Sequence, residues 1–543
     1  MSRTAAWPRD LRLSLAFALS VSNRQCRTVA LVNLPLCYHL FDSGMLQAGH
    51  GLRLRLDPGL SGVTPGNCEN LGFHRVSLAA RVRRPAHARS DRWSIPLFRR
   101  APNPSLVTAL ARSFLAGEQT VEGILSRAGR TLGRQWRWLG PVAQRYRQAF
   151  GDGVRPRHRD VVRFLLGDSG FQRAWSRHFD RLSVEEWLTE PQRMQPIAAA
   201  RSWNLPVIES VGALAAWLRL SVGELEWFAD LKGLQSKRCD ARLAHYHYRL
   251  LTKKSGKMRL IEAPKPRLKE IQRQILTGIL DNIPAHPAAH GFVKGRSIKT
   301  FAAPHVVRRV VLRMDLQDFF PSLAARRIQA FFRTAGYPES VADLLGGLCA
   351  NAVGFGAWFE MGKEPDIDRA QLREVRFMYS RPHLPQGAPT SPALANLCAY
   401  RVDCRLTGLA QSAGAQYTRY ADDLAFSGDE VFDRSVERFK TRAAAILLEE
   451  GFSVNHHKTR VMRQGVRQHL AGIVVNQRLN VARAEVDRLK AILTNCVRHG
   501  PESQNRAGHP DFESHLAGRV EFVESINPTK GMRLRGILEQ IRW

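Results

Sequence analysis

The residues that most clearly announce chemistry are carboxylates. Tyr420-Ala421-Asp422-Asp423 sits between residues 415–419 (Ala-Gln-Tyr-Thr-Arg) and 424–428 (Leu-Ala-Phe-Ser-Gly), with apolar residues on both sides of the polar pair. This pattern predicts two strands with the aspartates at the tip of the hairpin. Adjacent carboxylates repel, so pairing them is costly unless a cation neutralises them. Hard oxygen ligands of this kind suit Mg²⁺. An ordinary acidic turn gives the same dipeptide, so the pair alone decides little. A second acidic strand end changes that. Residues 310–315 read Val-Val-Leu-Arg-Met-Asp, a β-like run ending in Asp315, with Leu316, Gln317, Asp318, Phe319, Phe320 and Pro321 after it. Asp315, Asp422 and Asp423, from two strand ends, would form a two-metal site. Such a site aligns an attacking hydroxyl, polarises an α-phosphate and stabilises a leaving pyrophosphate oxygen.

A site of that kind needs a large body to hold it. The chain has 543 residues, 44% of them hydrophobic, which predicts two to four domains and excludes global disorder. Its net charge is +33 and its pI about 10.8. Nucleic acid is the first polyanion that such a surface would bind, and an anionic membrane the second. No apolar run reaches the length of a transmembrane helix. The eight cysteines form no C-x-x-C, which argues against zinc and disulfides and for a reducing, cytoplasmic location.

The chain divides by composition. Every strong base before Lys232 is arginine. Residues 1–102 alternate turn-rich and short apolar pieces, which predicts a poorly ordered basic extension. Residues 103–195 read as a helical domain, with Ser105 a candidate cap and amphipathic stretches at 121–139, 142–150, 160–166 and 171–188. Arg134, Trp136, Arg137, Trp138 and Arg145 interleave there. Such a face could stack on nucleic acid or form a packing stripe. Residues 194–206 look like a linker, and 210–218 and 221–228 like a helix pair. Strands and helices then alternate to about residue 481, and the chain ends in helices on which Val486, Leu489, Leu493 and Val497 share a face.

Taken in order, Asp315 with Phe320, the block Leu384-Pro385-Gln386-Gly387-Ala388-Pro389-Thr390-Ser391-Pro392 and Tyr420-Ala421-Asp422-Asp423 resemble the motifs of reverse transcriptases. The resemblance runs from about residue 206 to 543. It implies an α+β right-hand polymerase fold with an additional N-terminal α-helical region. Fingers would occupy 206–300, palm with a fingers portion 301–465, and primer grip with helical thumb 466–543. It implies an RNA-directed DNA polymerase using two Mg²⁺ ions, with Mn²⁺ able to substitute. The Leu316 carbonyl would be a further metal ligand. Lys253 or Lys254, with Arg259, would clamp the incoming dNTP, and Gln386 would position it. Phe320 would exclude a ribose 2′-hydroxyl, and Lys458 would be the acid for the leaving pyrophosphate. Arg296 would contact template.

Within that family the wording is most similar to bacterial retron enzymes. These resemble one another in copying a partner noncoding RNA from a guanosine 2′-hydroxyl, giving a branched RNA–DNA product. Many act in antiphage defence with an effector protein. Two retron blocks depart from the pattern: Phe301-Ala302-Ala303-Pro304-His305 keeps the histidine of an Asn-Ala-x-x-His block, and Leu470-Ala471-Gly472 keeps the glycine of a Val-Thr-Gly block. By resemblance, His305 and Gly472 would help recognise the RNA. Another defence-associated or group II-like reverse transcriptase, or a catalytically silent RNA-binding scaffold, would share many of these features.

Overall fold

A computed structural model describes residues 101–543, except 152, 238–243, 253–255, 257 and 364–367. The N-terminal extension, apart from its last two residues, and both Lys253 and Lys254 lie outside the described residues.

Among the described residues, five helices come first: α1 (Pro104–Leu115), α2 (Val121–Thr131), α3 (Leu139–Phe150), α4 (His158–Gly167) and α5 (Ser169–His178). Leu110, Phe114, Val142, Tyr146, Leu165 and Phe171 are completely buried or nearly so and form their shared core. The cap of α1 is Asn103 rather than Ser105: the Asn103 carboxamide accepts the Ser105 N–H at 2.9 Å. Pro104 explains the shift, because proline fits the first helical position and lacks the N–H that would be orphaned there. The stretches expected at 121–139 and 171–188 are shorter, ending at Thr131 and His178. The arginine–tryptophan stripe is a packing feature. Trp136 and Trp138 rest on the core, Arg134 stacks 3.8 Å above Trp136, and Arg145 pairs with Asp168 at 2.7 Å.

Helices α6 (Val211–Leu218) and α7 (Val222–Ala229) follow the linker. Each starts at a serine that accepts an N–H from its first turn, Ser210 from Ala213 and Ser221 from Glu224. Strands β1 (Tyr246–Thr252) and β2 (Met258–Pro264) form an antiparallel hairpin, and α8 (Pro266–Gly278) packs beneath it.

The centre is a five-stranded antiparallel sheet. β3 (Val310–Gln317) pairs with β5 (Asp423–Gly428), β6 (Ser453–Val454) and β7 (Arg460–Arg463), and β5 also pairs with β4 (Gln416–Tyr420). Side chains alternate along β3. Val310, Leu312, Met314 and Leu316 enter the main core. Val311 enters a second one, and Arg313 and Asp315 share its face. Helices α9 (Ala325–Thr334), α10 (Glu339–Leu348), α11 (Phe355–Met361), α12 (Arg369–Tyr379), α13 (Ser391–Cys398), α14 (Tyr400–Ser412) and α15 (Glu430–Glu449) complete this body.

Beyond it, β8 (His469–Leu470), β9 (Ile473–Val474) and β10 (Asn480–Val481) form a small sheet that packs with α16 (Arg483–His499), α17 (Phe512–Ile526) and α18 (Pro528–Leu538). On α16, Leu489 and Leu493 are buried, but Val497 is 39% exposed, so the shared face ends a turn early. The β8–β9 turn has φ of 46° at Ala471 and 84° at Gly472. Both central residues of such a two-residue turn need φ > 0, which asparagine followed by glycine supplies at least cost. Ala471→Asn is therefore expected to stabilise the fold by about 0.5–1 kcal/mol, read as a higher urea midpoint.

Candidate active site

The β4–β5 hairpin carries Ala421 and Asp422 as its two-residue loop, and Asp423 lies opposite Asp315 in the β3–β5 register. Three main-chain bonds assemble the cluster. Leu316 N–H donates to Asp422 O at 2.9 Å, and Asn455 N–H donates to Asp315 O at 2.7 Å. Lys458 N–H then donates to Asn455 O at 3.1 Å, which brings the lysine back over the strand end. Its ammonium donates to Asp315 Oδ1 at 2.9 Å. Arg313, two residues before Asp315 on the same strand face, donates through Nε and Nη2 to Asp423 Oδ1 at 3.0 and 2.8 Å.

Burial raises the pKa of Asp422, and the neighbouring charges of Asp315 and Asp423 raise it further, against Lys458. This is the behaviour of carboxylates crowded together. The donors, three hard oxygen groups and the Leu316 main chain beside them, have the chemistry of a Mg²⁺ or Mn²⁺ site. Among the described residues, no three acidic, histidine or cysteine side chains already converge as metal ligands. Two cationic side chains, Arg313 and Lys458, instead hold Asp423 and Asp315.

The hairpin loop is strained and braced. Ala421 has φ 54°, unfavourable for a residue with a Cβ. Arg419, completely buried, donates Nη1 to Ala421 O at 3.2 Å and to Asn396 Oδ1 at 3.0 Å. Its Nη2 and Nε hold Asp403 at 2.6 and 2.8 Å, and Tyr417 OH also donates to Asp403. From the other side, His290 N–H donates to Arg419 O at 2.7 Å. A Cβ on Gly291 would lie 2.5 Å from Ala421 N, so only glycine permits this approach.

Gln386 is tied to β2. Its carbonyl accepts Glu262 N–H at 2.8 Å, and its own N–H donates to Glu262 Oε2 at 3.3 Å. Glu262 is fully buried and also takes His383 Nε2 at 2.9 Å and Asn351 Nδ2 at 2.7 Å. Burial opposes a charge on His383, but the Glu262 carboxylate outweighs it and raises the pKa. Arg259 is half-buried on the same strand, opposite Leu251. Phe320 is half-buried in the short helix Phe319–Ser322, its ring 5.7 Å from Phe319 and 6.0 Å from Phe292.

The family model for reverse transcriptases (RNA-dependent DNA polymerases) matches residues 251–484. The retron Mx65 reverse transcriptase of Myxococcus xanthus is 41% identical over 339 residues, which are 61% of this chain and 72% of that one. This chain belongs to the retron reverse transcriptases. The retron Mx162 enzyme of the same organism is 36% identical, covering 63% of this chain and 68% of its own. The retron Ec86 enzyme of Escherichia coli is 28% identical, covering 62% and 90%. A solved foamy viral protease–reverse transcriptase in complex with double-stranded DNA shares 14% identity over 55% of this chain and 43% of its own. Its TM-score of 0.28 is too low to bear on the site. The chain is thus an RNA-directed DNA polymerase with the α+β right-hand fold and an additional N-terminal helical region.

Of the three residues expected to touch template or RNA, only His305 is shut away from solvent in this retron enzyme; Arg296 and Gly472 reach the surface and also shape their own loops. His305 is fully buried. Its Nδ1 is 2.6 Å from Ser427 Oγ and its Nε2 is 2.7 Å from Thr418 Oγ1, so it links β5 to β4 behind the carboxylates. It is out of reach of RNA because the sheet and Phe301 enclose it. Arg296 donates Nη1 to the carbonyls of Pro287 and Ala289, at 2.5 and 2.6 Å, and so ties down its own loop. Gly472 supplies the second left-handed residue of the β8–β9 turn.

Burial lowers the His305 pKa to about 3. Between pH 3 and the unfolded value near 6.5, the unfolded chain binds a proton that the folded one refuses, so stability is lost as the pH is lowered through that window. The wild type is expected to lose ~2 kcal/mol from this group between pH 8 and pH 5. Urea titrations at the two pH values should show a smaller fall in His305→Gln.

The residues that sequence reasoning missed are Arg313, the Arg419–Asp403 pair, the Glu262–His383 pair and Gly291. Arg313 was within reach, since a strand places residues two apart on one face. The buried pairs left no local signal.

Proposed function

We propose that this enzyme copies part of a partner noncoding RNA into DNA, starting from a 2′-hydroxyl of that RNA, with chemistry at Asp315, Asp422 and Asp423. The observation that carries this reading is the pairing of Asp315 with Asp423 across β3 and β5, with Asp422 in the adjoining loop and Lys458 on Asp315. Asp315, Asp422, Asp423 and the Leu316 carbonyl would hold two Mg²⁺ ions. When bound, these supply the lowered pKa of the attacking hydroxyl and the charge neutralisation of the leaving pyrophosphate.

The chain's own groups do the rest. Lys458, already against Asp315, donates the proton to the leaving pyrophosphate. Lys253 or Lys254, with Arg259, clamps the triphosphate as a fixed cation. Gln386, held at its main chain by the buried Glu262, sets the plane of the templating pair. His305 acts through β4 and β5 as a positioning residue. Fingers over 206–300, palm over 301–465 and primer grip with thumb over 466–543 are the domain reading that accompanies these roles. The enzyme would act in the cytoplasm, in antiphage defence with an effector protein. No helix among the described residues is long and apolar enough to cross a membrane.

Phe320 lies five residues beyond Asp315 and is braced by two other phenylalanines. Phe320→Ala is expected to raise incorporation of a ribonucleotide relative to the matching dNTP by ~10²-fold or more, about 2.7 kcal/mol. Single-nucleotide incorporation with each substrate measures this, and unchanged selectivity removes the gate role. The RNA-copying reading is tested on small DNA extracted from a host that expresses the chain with its neighbouring noncoding sequence. A DNA that stays joined to RNA until treated with debranching enzyme is expected. Free DNA with no RNA attached contradicts the priming chemistry.

A further inference from the structure

We propose that the cleft between the N-terminal helices and the polymerase body is a phosphate-binding site that holds the sugar–phosphate backbone of single-stranded RNA. The cleft has a volume of about 480 Å³ and lies between the α3–α4 connection and α9. Arg155, Arg157, Arg159, Arg326 and Arg333 line it, against a single acid, Asp160.

The interior of this cleft carries more positive charge than its carboxylates can balance. Arg155 is only 5% exposed. Its guanidinium donates to the carbonyls of Arg193, Leu115 and Gly117, while its Nε has no hydrogen-bond partner. No carboxylate lies within ion-pair distance of it among the described residues. Burial pushes its pKa down to about 10, and the more distant Glu209 carboxylate only partly offsets this. Arg157 and Arg333 share one carboxylate, Asp343, at 3.4 and 3.3 Å, and Glu339 stands 3.8 Å from Arg157. Asp160 is divided between Arg159 at 3.8 Å, Arg163 at 3.4 Å and the Arg157 N–H at 3.3 Å.

Gluing the two halves together accounts for Arg157 and Arg333, and for the His158 N–H that donates to Glu339 at 2.7 Å. It does not account for the residues at the mouth. Arg326 is exposed and has no ion pair among the described residues, and the Arg159 side chain is 70% exposed. A graded row of guanidiniums, solvated outside and dry inside, fits an oxyanion that enters from solvent and replaces the missing counter-charge. Planar forks match phosphate oxygens two at a time. A volume of about 480 Å³ leaves room for a nucleotide unit, and the exposed Arg159 and Arg326 face a strand that lies across the mouth. The enzyme already handles RNA, and the bases that line the cleft are all arginines, as are all strong bases before Lys232.

The test uses the full chain and a fluorescein-labelled single strand of twenty uridines, followed by anisotropy across a salt series. A homopolymer is chosen so that the result is independent of the enzyme's natural template and of its priming chemistry. In Arg159→Gln/Arg326→Gln the dissociation constant in 0.1 M salt is expected to rise about 10- to 25-fold. The slope of log K against log salt should shrink by about 1.4, the value for two lost contacts to single-stranded phosphates. Arg159→Lys/Arg326→Lys should restore most of the slope. Extension of a short, pre-annealed RNA template and primer at saturating concentration should be unchanged. RNA affinity and slope within twofold of wild type would overturn the proposal. It falls in that case even if inorganic phosphate or a phosphopeptide binds the cleft, because the occupant would then be something other than RNA.

Discussion

Asp422→Asn is expected to lower the rate of DNA synthesis on a primed RNA template by at least ~10³-fold, about 4 kcal/mol of transition-state stabilisation. It should nonetheless melt at or above the wild-type temperature. The two halves of this result have one cause. Asp422 sits in the hairpin loop between β4 and β5, where burial and the charges of Asp315 and Asp423 disfavour its ionised form. A folded-state pKa raised above the unfolded value means that the carboxylate opposes folding above its unfolded pKa. The neutral amide keeps the shape and the main-chain bond from Leu316, and removes the repulsion. What it cannot replace is the negative oxygen that the proposed metal site requires. A residue that costs stability where it stands and is required there is the pattern of a site shaped for chemistry. Single-turnover primer extension and scanning calorimetry on the same preparation measure both halves. An active variant, or an inactive one that has simply unfolded, defeats the assignment.

The second large effect is on the scaffold. Asp403→Asn is expected to destabilise the fold by ~3–5 kcal/mol, because it leaves the Arg419 guanidinium buried without a counter-charge. Both side chains are completely buried. The aspartate takes two bonds from Arg419 and one from Tyr417, and no solvent can substitute. Arg419 in turn holds the carbonyl of Ala421, whose strained φ shapes the loop that presents Asp422. The loss should therefore reach activity even where the protein still folds. Replacing both members, Arg419→Met with Asp403→Leu, should cost less than Asp403→Asn alone, since no charge is then stranded. Urea midpoints of the single and double variants decide this. A double variant as unstable as the two single losses added together would show that the pair is not coupled.

What could be read from the sequence was local. The aspartate hairpin, the acidic end of β3 and the helix pair α6 and α7 each depend on residues within a few positions of one another. Periodicity and capping chemistry report such features directly. The α1 cap was misplaced by two residues because Ser105 competed with Asn103, and Pro104 decided between them. Contacts distant in sequence were not legible. Glu262 meets His383, and Arg419 meets Asp403, only after the body has closed. His305 illustrates the cost of that blindness. A histidine kept within an altered retron block suggested RNA, whereas the fold spends both of its ring nitrogens on Ser427 and Thr418. The arginine–tryptophan stripe admitted two readings, and burial of the tryptophans chose packing. Arginines spread over Arg155–Arg159 and Arg326–Arg333 carried no motif at all and became a cluster only in three dimensions.

The role proposed for the carboxylates at the ends of β3 and β5 is RNA-templated addition of deoxynucleotides. The most direct test is incorporation of one dNTP on a primed RNA template, with Mg²⁺ and saturating protein, by wild type and by Asp315→Asn. The wild type is predicted to add the complementary dNTP, and the variant to bind the primer–template with unchanged affinity yet add nothing measurable. Addition by Asp315→Asn at the wild-type rate contradicts the account.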